Sequence, residues 1–161
     1  MIPEKKEKKG RTLAIDYGHA RIGLALSDSL AMIALPLENI PGDKKPQRAA
    51  KTIHREIERL EQEKQCLIDT IVIGLPLHLN GTESPRSLEV KILLEELKKL
   101  QPTKTILLFD ERFTTLQADR AMKEMGNLTR KQRAGKVDSV SSIILLQSYL
   151  DNLSLKKNDV K

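Results

Sequence analysis

At 161 residues, 39% hydrophobic and 31% charged, the chain is long enough for one domain with a real core and too apolar to be disordered. Its longest apolar runs are strand-length, which excludes a membrane-spanning helix, and Met1 to Arg11 lacks the apolar segment of a signal peptide. Cys66 is the only cysteine, which leaves no disulfide framework and no zinc knuckle, and the net charge of +6 favours a polyanionic partner; the sequence predicts a cytoplasmic protein.

Residues 1–10 read as a charged N-terminal tail, 11–151 as a single domain, and 152–161 as a polar C-terminal tail. Leu13 to Ile15 is a short apolar strand that ends on Asp16. After a tight turn at Gly18, a second strand, Ile22 to Ser27, alternates large residues (Ile22, Leu24, Leu26) with small ones (Gly23, Ala25), the pattern of a hairpin with one face on a core. A third strand is expected from Met32 to Ile40, and Pro36 inside it assigns it to a sheet edge, because proline has no N–H for a ladder. Pro46 opens a helix to Lys64 with Ala49, Ala50, Ile53, Ile57 and Leu60 on one face. Thr70 to Leu75 is a continuous β-branched run, as in a strand covered on both faces.

Ser84 as N-cap and Pro85 at N1 begin the next helix, for which Leu88, Ile92, Leu93, Leu97 and Leu100 form the expected buried stripe. Thr105 to Phe109 is a further covered strand and finishes on Asp110-Glu111-Arg112. Thr114 to Met125 reads as a helix with a capping box, Asn127 to Lys136 as a polar mobile segment, and Val137 to Leu150 as the last helix. The order is a meander of three strands followed by two crossover strands. It predicts an α/β fold with a mixed five-stranded sheet in order 3-2-1-4-5.

Chemistry concentrates where strands end. Asp16 and the pair Asp110-Glu111 close two covered strands, and parallel sheets place ligand sites at those carboxyl ends. Asp138 is a third acid; in the expected first turn of the last helix, the macrodipole alone would explain it. Carboxylates ~4 Å apart repel by about 4 kcal/mol per pair at an effective dielectric near 20, so a convergent cluster implies bound cations. Carboxylate ligands favour Mg²⁺ or Mn²⁺, and two such ions suit hydrolysis of a phosphodiester. Positive charge concentrates beside Asp138. Arg120 to Lys136 holds six basic residues against one acid. Only two Tyr, two Phe and no Trp are present, so contact with nucleic acid would be through phosphates rather than base stacking.

The motifs Asp16-x-Gly18-x-x-Arg21-Ile-Gly23-x-Ala25-x-Ser27-Asp28, Gly74-Leu-Pro76 with Gly81-Thr-Glu-Ser84, Asp110-Glu-Arg-x-Thr-Thr115, and Val137-Asp138 with Ile144-Leu-x-Gln147-x-Tyr-Leu150 occur in this order. In them the chain resembles the YqgF family of Holliday-junction-resolvase-like proteins, regarded as nucleases for the 5′ end of pre-16S rRNA. The resemblance implies a ribonuclease H-like fold, a metal-dependent nuclease, and catalytic, metal-holding acids at Asp16, Glu111 and Asp138. Ser141-Ser142 departs from the alanines usual after the helix aspartate. Candidate substrate-binding residues are Arg21, Arg112, Arg130, Lys131 and Arg133; a solvated loop for the last three, and a local ion pair for Arg112, are the plainer readings.

The expected partner is nucleic acid, precursor rRNA or a DNA junction, with no membrane, the chain acting as monomer or homodimer. Phosphate contacts do not distinguish RNA from DNA. Three other readings compete. An actin- or hexokinase-like phosphotransferase shares the opening Asp-x-Gly-x-x-Arg, but needs a second domain that 161 residues do not supply. A binding protein without cleavage, acting in ribosome assembly or transcription, is disfavoured by the three retained acids. DNA junction resolution is the same chemistry on another substrate. Changing Arg130, Lys131 and Arg133 to Ala should weaken nucleic-acid binding across sequences and lower the slope of log K against log salt by roughly 0.7–0.9 per lost contact, measured by salt titration.

Overall fold

Large and small residues segregate in the first hairpin, and that segregation sets the layers. In the computed structural model, which describes residues 10–112 and 130–158 with the side chains of 130–139 left aside, β1 (Arg11–Asp16) pairs antiparallel with β2 (Arg21–Ser27). The register sets Leu13 opposite Leu26 and Ile15 opposite Leu24, with Ala14 opposite Ala25 on the reverse face. The predicted third strand is present in two pieces, β3 (Ala34–Pro36) and β4 (Ile40–Pro41), both paired with β2. Pro36 closes the first piece, because the ladder has no donor there.

β5 (Ile68–Leu75) lies parallel to β1, and β6 (Thr105–Asp110) parallel to β5, giving the order β3-β2-β1-β5-β6. Because the edge strand is divided, the sheet has six strands rather than the expected five, with β4 beside β2 off the main path; the order along that path is the expected one. The crossover helices are α1 (Pro46–Lys64) and α2 (Pro85–Leu100). They cover the face carrying Leu13, Ile15, Leu24, Leu26, Ile71 and Ile73. The small-residue face is covered too, which the one-sided reading of the hairpin did not anticipate. Leu145, Leu146 and Leu150 of α3 (Arg130–Asn158) pack with Ala14, Ala25, Ala34 and Val72. Alanine side chains let a helix lie close to the strands. Gln147 then fixes α3 to the edge: its Oε1 accepts from the Ala34 N–H (3.0 Å) and its Nε2 donates to the Met32 carbonyl (3.0 Å).

Two helices differ from their sequence reading. In α2 the buried line is Ser87, Val90, Leu93 and Leu97, while Leu88 and Ile92 are exposed. Apolar residues surround this helix, so periodicity does not select a face; packing against α1 and the sheet does. Its N-cap is as expected, with the Ser84 Oγ accepting from the Ser87 N–H (3.2 Å). Helix α3 begins at Arg130, within the stretch expected to be mobile, and runs on to Asn158, beyond the expected end at Leu150. Arg, Lys, Gln and Ala are strong helix formers, and the single Gly135 costs only about 1 kcal/mol. Lys156 and Lys157 in the last turn suit the negative end of the helix.

Residues 1–9, the helix expected at Thr114–Met125 and Asn127 to Thr129 lie outside the described residues. Among those described, no helix is long and apolar enough to cross a membrane. Ala25→Leu should overpack the α3 face and destabilise the fold by about 1–3 kcal/mol, read from the shift in a denaturant midpoint.

Candidate active site

Parallel pairing of β1, β5 and β6 delivers three strand ends to one place. Ile15 is level with Ile73 and Leu75 with Asp110, so Asp16, Gly74 and the Asp110-Glu111 pair are neighbours at the carboxyl edge of the sheet. The ladder continues one residue past β6, where the Glu111 N–H donates to the Leu75 carbonyl (3.1 Å). That bond fixes the Glu111 backbone. Its side chain folds across Gly74, where a Cβ would coincide with the Glu111 carboxylate. Gly74 is therefore glycine because Glu111 occupies the space of its missing side chain.

The two acids at the end of β6 separate by partner. Asp110 takes Arg112: Oδ1 accepts from the Arg112 N–H (2.9 Å) and Oδ2 from its Nε (2.7 Å), with Nη2 at 2.6 Å. The guanidinium holds Asp110 below the usual carboxylate range. Glu111 meets Asp16 instead. Burial first, then the negative charge of Asp16 and a side-chain hydrogen bond to it, push Glu111 up to about 8, while Arg86 acts in the opposite direction. Without a cation, Glu111 holds a proton and donates it to the Asp16 carboxylate. A closed pair of oxygen ligands that accepts a proton in place of a cation suits a hard divalent ion.

Among the described residues no group of three or more His, Cys, Asp or Glu comes together. Asp138, Arg130, Lys131 and Arg133 are in α3, and their side chains lie outside the described residues. One expectation about Asp138 is corrected. It stands eight residues, roughly 12 Å, inside α3 rather than in its first turn, so the macrodipole does not account for it. Arg112 adopts the plainer reading as the partner of Asp110. Arg21 opens β2 opposite Pro41 and is exposed.

A basic residue that the sequence reading passed over is also here. Arg86, in the first turn of α2, donates from Nη2 to the carbonyl of Tyr17, the residue after Asp16 (2.9 Å). Its guanidinium lies 5.7 Å from the centre of the Tyr17 ring, which is buried with its hydroxyl donating to the Asp43 carbonyl (2.6 Å). His19, in the turn after Asp16, has its Nε2 2.6 Å from Glu89 Oε2. His54 is half-buried and hydrogen-bonds Gln101 (2.7 Å). The signal for Arg86 was its place in a crossover helix: the first turn after β5 must return over the carboxyl edge of the sheet.

Residues 10–152 match the family model described as RuvX, Holliday junction resolvase. The chain belongs to the RuvX family. This is the YqgF family of the sequence resemblance. A protein of Protochlamydia amoebophila named "Putative pre-16S rRNA nuclease" is 44% identical over 149 residues, 92% of this chain and 98% of the relative. One of Chlamydia pneumoniae with the same name is 41% identical over 145 residues, 89% and 91% of the two chains. The fold is ribonuclease H-like: the structure of T. thermophilus RuvC in complex with a Holliday junction substrate matches with a TM-score of 0.52 at 11% identity, over 90% of this chain and 96% of that one.

The raised Glu111 gives this RuvX-family site a definite pH dependence. The folded state keeps a proton that the unfolded chain loses near 4.5, so the stability tied to this group is complete below that pH and declines as pH rises towards 8. In EDTA, the thermal midpoint of the wild type should fall between about pH 5 and pH 8 by more than that of Glu111→Gln, followed by circular dichroism.

Proposed function

We propose that the chain is a divalent-metal-dependent nuclease that hydrolyses phosphodiester bonds of precursor rRNA, at the 5′ end of 16S rRNA, in the cytoplasm. One observation carries the chemistry: Asp16 and Glu111 are held against each other at the carboxyl edge of the sheet, where their mutual repulsion and the burial of Glu111 would be relieved by a cation. The names of the Protochlamydia and Chlamydia relatives support the substrate.

Asp16, Glu111 and Asp138 would hold Mg²⁺ or Mn²⁺. Including Asp138 is supported by the helical period: Ser142 and Leu145, four and seven residues on, are buried, and position 138 falls on the same side of α3. Bound there, such ions supply hydroxide from water at neutral pH and offset the charge that develops on the phosphate. The chain's own part is placement. β1 aims Asp16, the extra ladder bond after β6 aims Glu111, and Arg112 keeps Asp110 out of competition. Rigid elements on all sides are what a precise metal site requires.

The family description favours a second substrate, a four-way DNA junction. Incubation with a precursor-rRNA 5′ fragment and with junction DNA, each in Mn²⁺ or EDTA, separates the two. Cleavage of the RNA alone, abolished by EDTA, is the expected outcome. Asp16→Asn should reduce it by more than the roughly 10–100-fold that an outer-shell change costs, with the fold intact by circular dichroism. Undiminished cleavage by Asp16→Asn would overturn the assignment.

A further inference from the structure

We infer that Arg86 is a substrate-binding residue, holding a phosphate of the nucleic-acid strand beside the Asp16–Glu111 pair. The inference deepens the nuclease reading and rests on it. Three observations carry it.

The first is position. Arg86 reaches from α2 to the backbone of Tyr17, one residue past Asp16, where its Nη2 donates to the carbonyl at 2.9 Å. The second is that this cation is incompletely matched. The Glu89 carboxylate, with which it pairs, has Oε2 3.7 Å from Nε, too long for a hydrogen bond, and that oxygen is already taken by His19 at 2.6 Å. Nε is buried without a hydrogen-bond partner among the described residues, so the ion pair with Glu89 is a loose one that leaves the guanidinium's hydrogen-bonding capacity partly unused. The third is rigidity with access. The Tyr17 carbonyl and the buried Tyr17 ring hold the guanidinium from one side, while the side chain remains 40% exposed. Nη2 is anchored on the Tyr17 carbonyl, and the N–H groups that this bond does not use are what the held guanidinium can offer to phosphate oxygens.

Arg86→Gln and Arg86→Lys would each be measured against wild type for binding of the precursor-rRNA 5′ fragment across a salt series, with thermal melts and steady-state cleavage in Mn²⁺ alongside. Arg86→Gln should bind about tenfold more weakly or worse, with a slope of log K against log salt smaller by roughly 0.7–0.9, and with KM raised more than kcat is lowered. Arg86→Lys keeps the charge but loses the fork; it should retain the slope and still lose affinity several-fold. The lysine variant decides the matter if the glutamine variant does not fold. Wild-type affinity and slope in Arg86→Gln, or wild-type affinity in Arg86→Lys, would overturn the inference. So would a loss confined to the melting temperature and kcat, which would reduce Arg86 to a brace for the Tyr17 backbone. Failure of the wild type to cleave any RNA or DNA would count against the nuclease reading itself.

Discussion

Asp16 and Glu111 repel each other when both are ionised, and the carboxyl edge of the sheet holds them together nonetheless. Glu111 is fixed through the Leu75 carbonyl, folded over the space left by Gly74, and burial adds to the repulsion in raising its proton affinity. A protein that spends stability in this way holds the site ready for a positive charge.

The layers on either side follow from that edge. Large aliphatic residues of β1, β2 and β5 face α1 and α2, and both crossovers bring the first turn of the helix back to the carboxyl edge. Alanines on the reverse face admit α3, and Gln147 fixes its position by satisfying both a donor and an acceptor of the edge strand. The same geometry that buries the core therefore also brings Arg86 to the acids and sets α3, with Asp138, across β1 and β2.

Charge around the site is sorted by pairing. Arg112 is committed to Asp110 and His19 to Glu89, which leaves Glu111 facing Asp16 and Arg86 incompletely matched. Under the proposed function, a phosphodiester approaching this edge would meet the Asp16–Glu111 pair and an arginine already anchored on the Tyr17 carbonyl. Discrimination between RNA and junction DNA is not carried by these groups, because both substrates offer the same phosphate.

Several features were determined by local chemistry and could be read directly from the chain. Alternation of Ile22, Gly23, Leu24 and Ala25 made the hairpin, Pro36 marked the edge strand, Pro46 and the Ser84 cap began the crossover helices, and the acids stood at strand ends. Each depends on a few neighbouring residues, so sequence is enough. Tertiary packing decided the rest. Leu88 and Ile92 face outward although they are as apolar as Leu93, because α2 has only one side in contact with the sheet and α1. Asp110 and Glu111 are adjacent and chemically alike; successive residues of an extended chain point to opposite sides, so one pairs with Arg112 while the other folds over Gly74, 37 residues away in the chain. Arg86 was invisible for the same reason: its importance lies in a carbonyl 69 residues distant, and no local pattern encodes a contact that only the parallel sheet creates.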